Sequence, residues 1–214
     1  MDKATLYNII LAIPIGLIFL GLITGAAKFN KLGLSQKLLV FSLCFTFITE
    51  VISRVLIELV ITNYIVFHIY AVIEFAFMAT ILSLHLSHSE RKLIRVGIVL
   101  MAVFAVINLC FFQGVRELNT NVITASSIGL VLLSVLVFFR ILSKMVYTKI
   151  EKSSFFWINI GVLTYFSSSI VLFVFGDWLT QLDLEYSINV WLIHIFFNII
   201  QYLCFNIALW MDPE

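Results

Sequence analysis

Five stretches of this chain run for twenty or more residues without an Asp, Glu, Lys or Arg: Ala4 to Ala27, Val96 to Val115, Leu118 to Phe139, Ser153 to Gly176 and Tyr186 to Met211. A helix needs about 20 mostly apolar residues to cross a ~30 Å hydrocarbon core, so each run is long enough to span a bilayer. Between Lys37 and Glu90 lie a further 52 residues, interrupted only by Glu50, Arg54, Glu58 and Glu74. That length suits two more helices joined by a tight turn near Thr62-Asn63. The expectation is an all-α polytopic membrane protein: one domain over residues 1–214 with seven transmembrane helices. The runs are continuous and do not alternate with period two, which excludes a transmembrane β-barrel. The first run is too long for the apolar core of a signal peptide and is expected to stay as a span.

The rest of the composition agrees. The chain is 62% hydrophobic and 12% charged, against roughly 45–50% and 25% in soluble domains. With 13 Lys+Arg against 12 Asp+Glu, it has no charge excess to draw in nucleic acid. Its first partner is the lipid bilayer, and the expected location is multi-pass in a bacterial inner or a plasma membrane. A homo-oligomer or a membrane-protein partner stays open.

Basic residues sort the connections. Lys28, Lys31 and Lys37 follow helix 1, Arg91, Lys92 and Arg95 follow helix 3, and Arg140, Lys144, Lys149 and Lys152 follow helix 5. By the positive-inside rule these connections are cytoplasmic, which puts the amino terminus outside and the carboxyl terminus inside. The connection after helix 6 is acidic instead, with Asp177, Asp183 and Glu185. Trp178 and Trp210 are expected at the membrane interfaces. Cys44, Cys110 and Cys204 all fall within spans and read as apolar packing residues.

Ionisable groups at membrane depth are costly and mark sites. Glu50, Arg54 and Glu58 recur every four residues, so they share one helix face. Glu50 lies about 20 Å beyond Lys37 along a helix, well past the midplane. Pairing helices 2 and 3 around Asn63 sets Glu74 near the depth of Glu50 and Tyr70 near Arg54. Two carboxylates and one guanidinium would then share a buried layer. Such a layer can be an ion pair locking the helices together. Alternatively, Glu50 or Glu74 is a protonatable group coupling proton or cation movement to a substrate, or the layer binds substrate directly.

On helix 7, His194, Asn198 and Gln201 stand at i, i+4 and i+7 with Tyr202 alongside, a polar stripe that must face the bundle interior or a wet cavity. His68 and His194 fall at one expected depth. They could ligate a metal together with Glu74 or Glu50, serve as the axial pair of a b-type haem, or act as hydrogen-bonded, pH-responsive gate residues. No cofactor is firmly implied. Ser167, Ser168 and Ser169 are expected to bond back to helix carbonyls. His85 and His88 have ligand-like spacing without a third partner.

Helices 1 to 3 can be laid over helices 5 to 7. Ile15 to Leu20 matches Ile128 to Leu133, Thr46 to Thr49 matches Thr164 to Ser167, and Asn63-x4-His68-Ile69-Tyr70 matches Asn189-x4-His194-Ile195-Phe196. The expected halves are 4–86 and 118–211, with 96–115 as a linker helix in a 3+1+3 parallel repeat. That layout resembles the SWEET-type sugar transporters and the trimeric intracellular cation channels, in architecture and without the Pro-Gln motif of the first. It implies a transporter or channel for a small polar solute or ion, and the buried carboxylates offer a route to proton coupling. The alternatives are a sensory or complex-subunit seven-helix protein, or an intramembrane metal- or haem-dependent enzyme built on His68 and His194. Asn198 replaces the second histidine of the His-x3-His pair that alkaline-ceramidase-related hydrolases carry in their last helix, so an enzyme is the less favoured class.

Overall fold

The structure is a computed structural model that describes residues 3–144, 150–175 and 184–211, with side chains 3–9, 144 and 184–189 excluded. Asp177, Trp178 and Asp183, with Lys149 and the Lys144, Glu185 and Asn189 side chains, therefore lie outside the described residues. Seven long helices are present: α1 Lys3–Lys28, α2 Leu34–Glu58, α3 Tyr64–Ser83, α4 His88–Phe111, α5 Thr120–Lys144, α6 Ser154–Val174 and α7 Leu184–Trp210. All seven are long and apolar enough to cross a membrane, and the described residues contain no strand. The chain is a multi-pass membrane protein.

Local chemistry sets the helix ends. Gly33 precedes α2, and its N–H donates to Gln36 Oε1 at 3.0 Å. Ser87 and Glu90 form a capping box at the start of α4. Ser153 Oγ accepts from the Phe156 N–H at 3.1 Å to open α6. Each side chain satisfies a donor that the first helical turn would leave unpaired. Glu90 also forms an ion pair with Arg140 of α5.

Six helices close into a ring. α1 packs on α2 and α7, α2 on α3, α3 on α5, α5 on α6 and α6 on α7. The fourth helix stands outside the ring against α3 and α5, with only Asn108 buried. Helices adjacent in sequence run antiparallel within the ring: Gly25 meets Val40, Ser134 bonds Asn159, and Phe173 packs on Trp191.

The ring is filled at one end only. Its half toward the α1 carboxyl end holds the buried core, including Ile18, Leu43, Ile81, Leu130, Ile158 and Leu209. Polar clamps bridge helices in that half. Gln36 Nε2 donates to the Ala208 and Met211 carbonyls at 2.7 and 3.1 Å, Lys28 Nζ to the Trp210 carbonyl at 2.9 Å, and Asn206 Nδ2 to the Leu17 carbonyl at 3.0 Å. The outer surface is aliphatic and aromatic, with Val99, Phe139 and Val171 more than half exposed, as a lipid-facing belt requires.

Candidate functional site

The unfilled half of the ring encloses a cavity of about 600 Å³ lined from α1, α2, α3, α5, α6 and α7. Helical spacing places its polar groups. Thr46, Glu50 and Arg54 form one stripe on α2, Tyr70 and Glu74 one on α3, and His194, Asn198 and Tyr202 one on α7. Successive members are four residues apart and climb one wall per helix. Arg54, Tyr64 and Leu118 line the end nearest the α2–α3 turn, whereas Thr46, Glu74 and Tyr202 meet the apolar core at the other.

The register of α2 against α3 decides how the charges stand. Asn63 Nδ2 donates to Ser53 Oγ, and Thr46 Oγ1 lies 3.5 Å from the Tyr70 hydroxyl. Glu74 therefore sits at the depth of Ser42 to Thr46, about two helical turns, or roughly 12 Å, below Glu50. This corrects the expected single layer. Pairing is centred near Glu58, because α2 ends there and the connection begins at once, rather than near Asn63. Tyr70 is accordingly beside Thr46 and Glu74, not beside Arg54.

A locking ion pair is also absent. Among the described residues no ion pair joins Arg54 to Glu50, Glu58 or Glu74. Arg54 is exposed, and its Nη2 reaches the Leu11 carbonyl of α1 at 3.4 Å. That contact lies one residue from the Ile10 carbonyl, which Pro14 leaves without its helical donor. The charges form a ladder instead: Arg54 at the mouth, Glu50 below it and Glu74 half-way along α3.

Tyrosines surround the lower rung. The Tyr70 hydroxyl donates to Glu74 Oε1 at 2.7 Å, and its ring stacks on Phe45. Tyr165 of α6 and Tyr202 of α7 lie within electrostatic reach of both Glu50 and Glu74, with Tyr202 beside Asn198. Most hydroxyl protons in the cavity are already committed. Thr49 donates to the Phe45 carbonyl at 2.9 Å, Ser126 and Ser127 to that of Ile123 at 2.9 and 2.7 Å, and Ser169 to that of Tyr165 at 3.0 Å. Their oxygens keep lone pairs, so with two carboxylates the cavity is rich in acceptors.

Comparison of the chain with family models, with curated proteins and with solved structures returns no match.

Glu50, Arg54, Tyr70, Glu74, His194 and Asn198 share the cavity wall, and His68 and Gln201 do not. His68 stands two residues from Tyr70, about 200° around the helix, so both cannot face the cavity. It is buried with Nε2 3.2 Å from the Glu117 carbonyl in the α4–α5 connection. His194 thus lines the cavity and His68 does not. Among the described residues no group of three or more His, Cys, Asp or Glu is placed to hold a metal ion. Gln201 is turned from the cavity wall that Asn198 and Tyr202 line, where α7 closes on Gly161 of α6, and is buried with both side-chain polar atoms unpartnered.

Tyr165, Ser126 and Ser127 were not singled out from the sequence. The signal was present: Tyr165 falls inside the Thr164 to Ser167 match with Thr46 to Thr49, where a phenol in mid-span demands a hydrogen-bonding neighbour. Ser168 and Ser169 do bond back to the Tyr165 carbonyl, as expected.

Proposed function

We propose that this protein is a membrane transporter or channel for a small polar solute or ion, with the ring cavity as its binding chamber. The observation that carries the reading is the charge ladder. Glu50 and Glu74 stand at successive depths in an acceptor-rich cavity that is plugged by apolar core at one end. Two carboxylates against one guanidinium favour a cation or a donor-rich solute. Glu74, with one Tyr70 hydrogen bond and no cationic partner among the described residues, is the group we assign to proton coupling.

The closed half fits the same reading. A chamber open toward the α2–α3 turn and sealed beyond Thr46 is one state of an alternating-access cycle. Positive-inside orientation makes the open face the outer one. Exchanging α1–α3 for α5–α7 leaves the neighbour order of the ring unchanged, which supports the 3+1+3 repeat.

The test is solute-driven proton flux. Purified protein in phosphatidylcholine liposomes loaded with a pH-sensitive dye is challenged with sodium, potassium, ammonium and small alkylammonium ions. At least one is expected to drive a lumenal pH change that Glu74→Gln abolishes while solute binding persists. Absence of any flux, together with an Asn198→Cys variant unreactive to a charged, membrane-impermeant thiol reagent, would overturn the proposal.

A further inference from the structure

The cavity wall formed by α6 and α7 has an outer side. There a groove of about 640 Å³ runs between the two helices, walled by apolar side chains such as Val171, Ile193 and Phe197. Val171 and Ile193 are 62% and 58% exposed, so the groove faces the bilayer. Thr164, Ser167 and Ser168 complete its lining, and the surface they help form is almost wholly apolar. One residue lines both this groove and the central cavity. That residue is His194.

His194 is held by rings. Tyr165, Phe173 and Trp191 pack against its imidazole at 5.2 to 5.8 Å between centroids. Its Nδ1 is buried and has no hydrogen-bond partner. An imidazole with an unpartnered nitrogen between groove and chamber can bind a polar group passing from one side to the other. His194 is thus the side chain that stands between the apolar groove and the polar chamber.

We propose that the α6–α7 groove is a lateral portal, and that the chamber receives the head of a single-chain cationic amphiphile whose tail lies in the groove. This rests on the chamber reading above and names its substrate class. The groove supplies what an alkyl chain needs, and the chamber supplies carboxylates and hydroxyl lone pairs for an ammonium head. Arg54, the one cation on the ladder, stands at the mouth, and a head arriving past His194 enters beside Tyr165 into the chamber that holds Glu50 and Glu74. Entry through the mouth would force the tail out of the bilayer, whereas lateral entry keeps it in an apolar phase throughout.

The experiment uses hexadecylamine carrying a photoactivatable diazirine beside the amine, added to the full-length protein in phosphatidylcholine vesicles, with labelled peptides mapped by mass spectrometry. The expected result is labelling of chamber residues on α6 and α7, such as Ser169 and Asn198. Val171→Trp, which fills the groove from the lipid side, should cut that labelling at least tenfold. Val99→Trp, on the lipid-facing side of α4 and outside both groove and chamber, should leave it unchanged. Butylamine with the same diazirine should label the chamber in both variants. Chamber labelling by hexadecylamine that ignores Val171→Trp, or hexadecylamine labels confined to lipid-facing residues, would overturn the portal. Equal chamber labelling by the matching hexadecanoic acid would overturn the cationic head. If butylamine reaches the chamber and hexadecylamine does not, the portal fails and the chamber stands; if neither does, both fail.

Discussion

At Tyr70 one phenolic proton meets a carboxylate with the hydroxyls of Thr46 and Tyr202 close by. Glu74 Oε1 is 2.7 Å away and Thr46 Oγ1 3.5 Å, while the Thr46 proton goes to the Ser42 carbonyl at 3.0 Å. The phenol thus serves the carboxylate. Tyr70→Phe keeps the ring that stacks on Phe45 and removes only this donor. A hydrogen bond to a charged group contributes about 1.5–3 kcal/mol, so solute-driven flux should fall roughly tenfold or more. The thermal midpoint in detergent should move by no more than a few degrees. A large midpoint loss with unchanged flux per folded molecule would assign Tyr70 a structural role instead.

A single β-branched residue closes the second helix. Val60 has φ of 59°, and the Ile61 and Val60 N–H groups bond back to the Leu56 and Ile57 carbonyls, the Schellman pattern. Glycine normally takes this position, since left-handed backbone costs an L-residue about 1–2 kcal/mol. Val60 is 93% exposed and gives little packing in return. Val60→Gly should therefore stabilise the fold by about 1 kcal/mol, a rise of about 2–4 °C in the thermal midpoint for a chain of this size.

That turn also explains what was legible beforehand. Five uncharged runs, and the length of the interrupted stretch between Lys37 and Glu90, located all seven helices, because the bilayer imposes length and composition directly. The same rules say nothing about register. Without a glycine after Glu58 the sequence carries no C-cap signal, so pairing was centred at Asn63 and the carboxylates were placed in one layer. Of the expected site, the six residues on i, i+4 stripes came together. His68 and Gln201 did not, because each lies on a different face of its helix from the residues that line the wall.

For the whole molecule, function turns on the sealed end. Gln36 holds the last turn of α7 through two carbonyls, and Lys28 adds a third bond beside the Trp210 ring. If the ring is to release solute toward the basic connections, this clamp must open. Gln36→Ala should raise the reactivity of a Thr46→Cys probe toward a charged thiol reagent supplied from that end. Labelling that stays as slow as in the Gln36 background would show that the seal resides in the apolar core alone.

The helix left outside the ring fixes the parity of everything inside it. Because α4 crosses once between the triplets, α5 runs the same way as α3 and lies against it, and α7 lies parallel against α1, as the Phe75–Gly129 and Leu17–Asn206 contacts record. Parallel neighbours have no short loop between them. The ring is thus two covalently hinged arcs meeting at two seams that only side chains hold shut, and those seams are where the arcs can part without straining a connection.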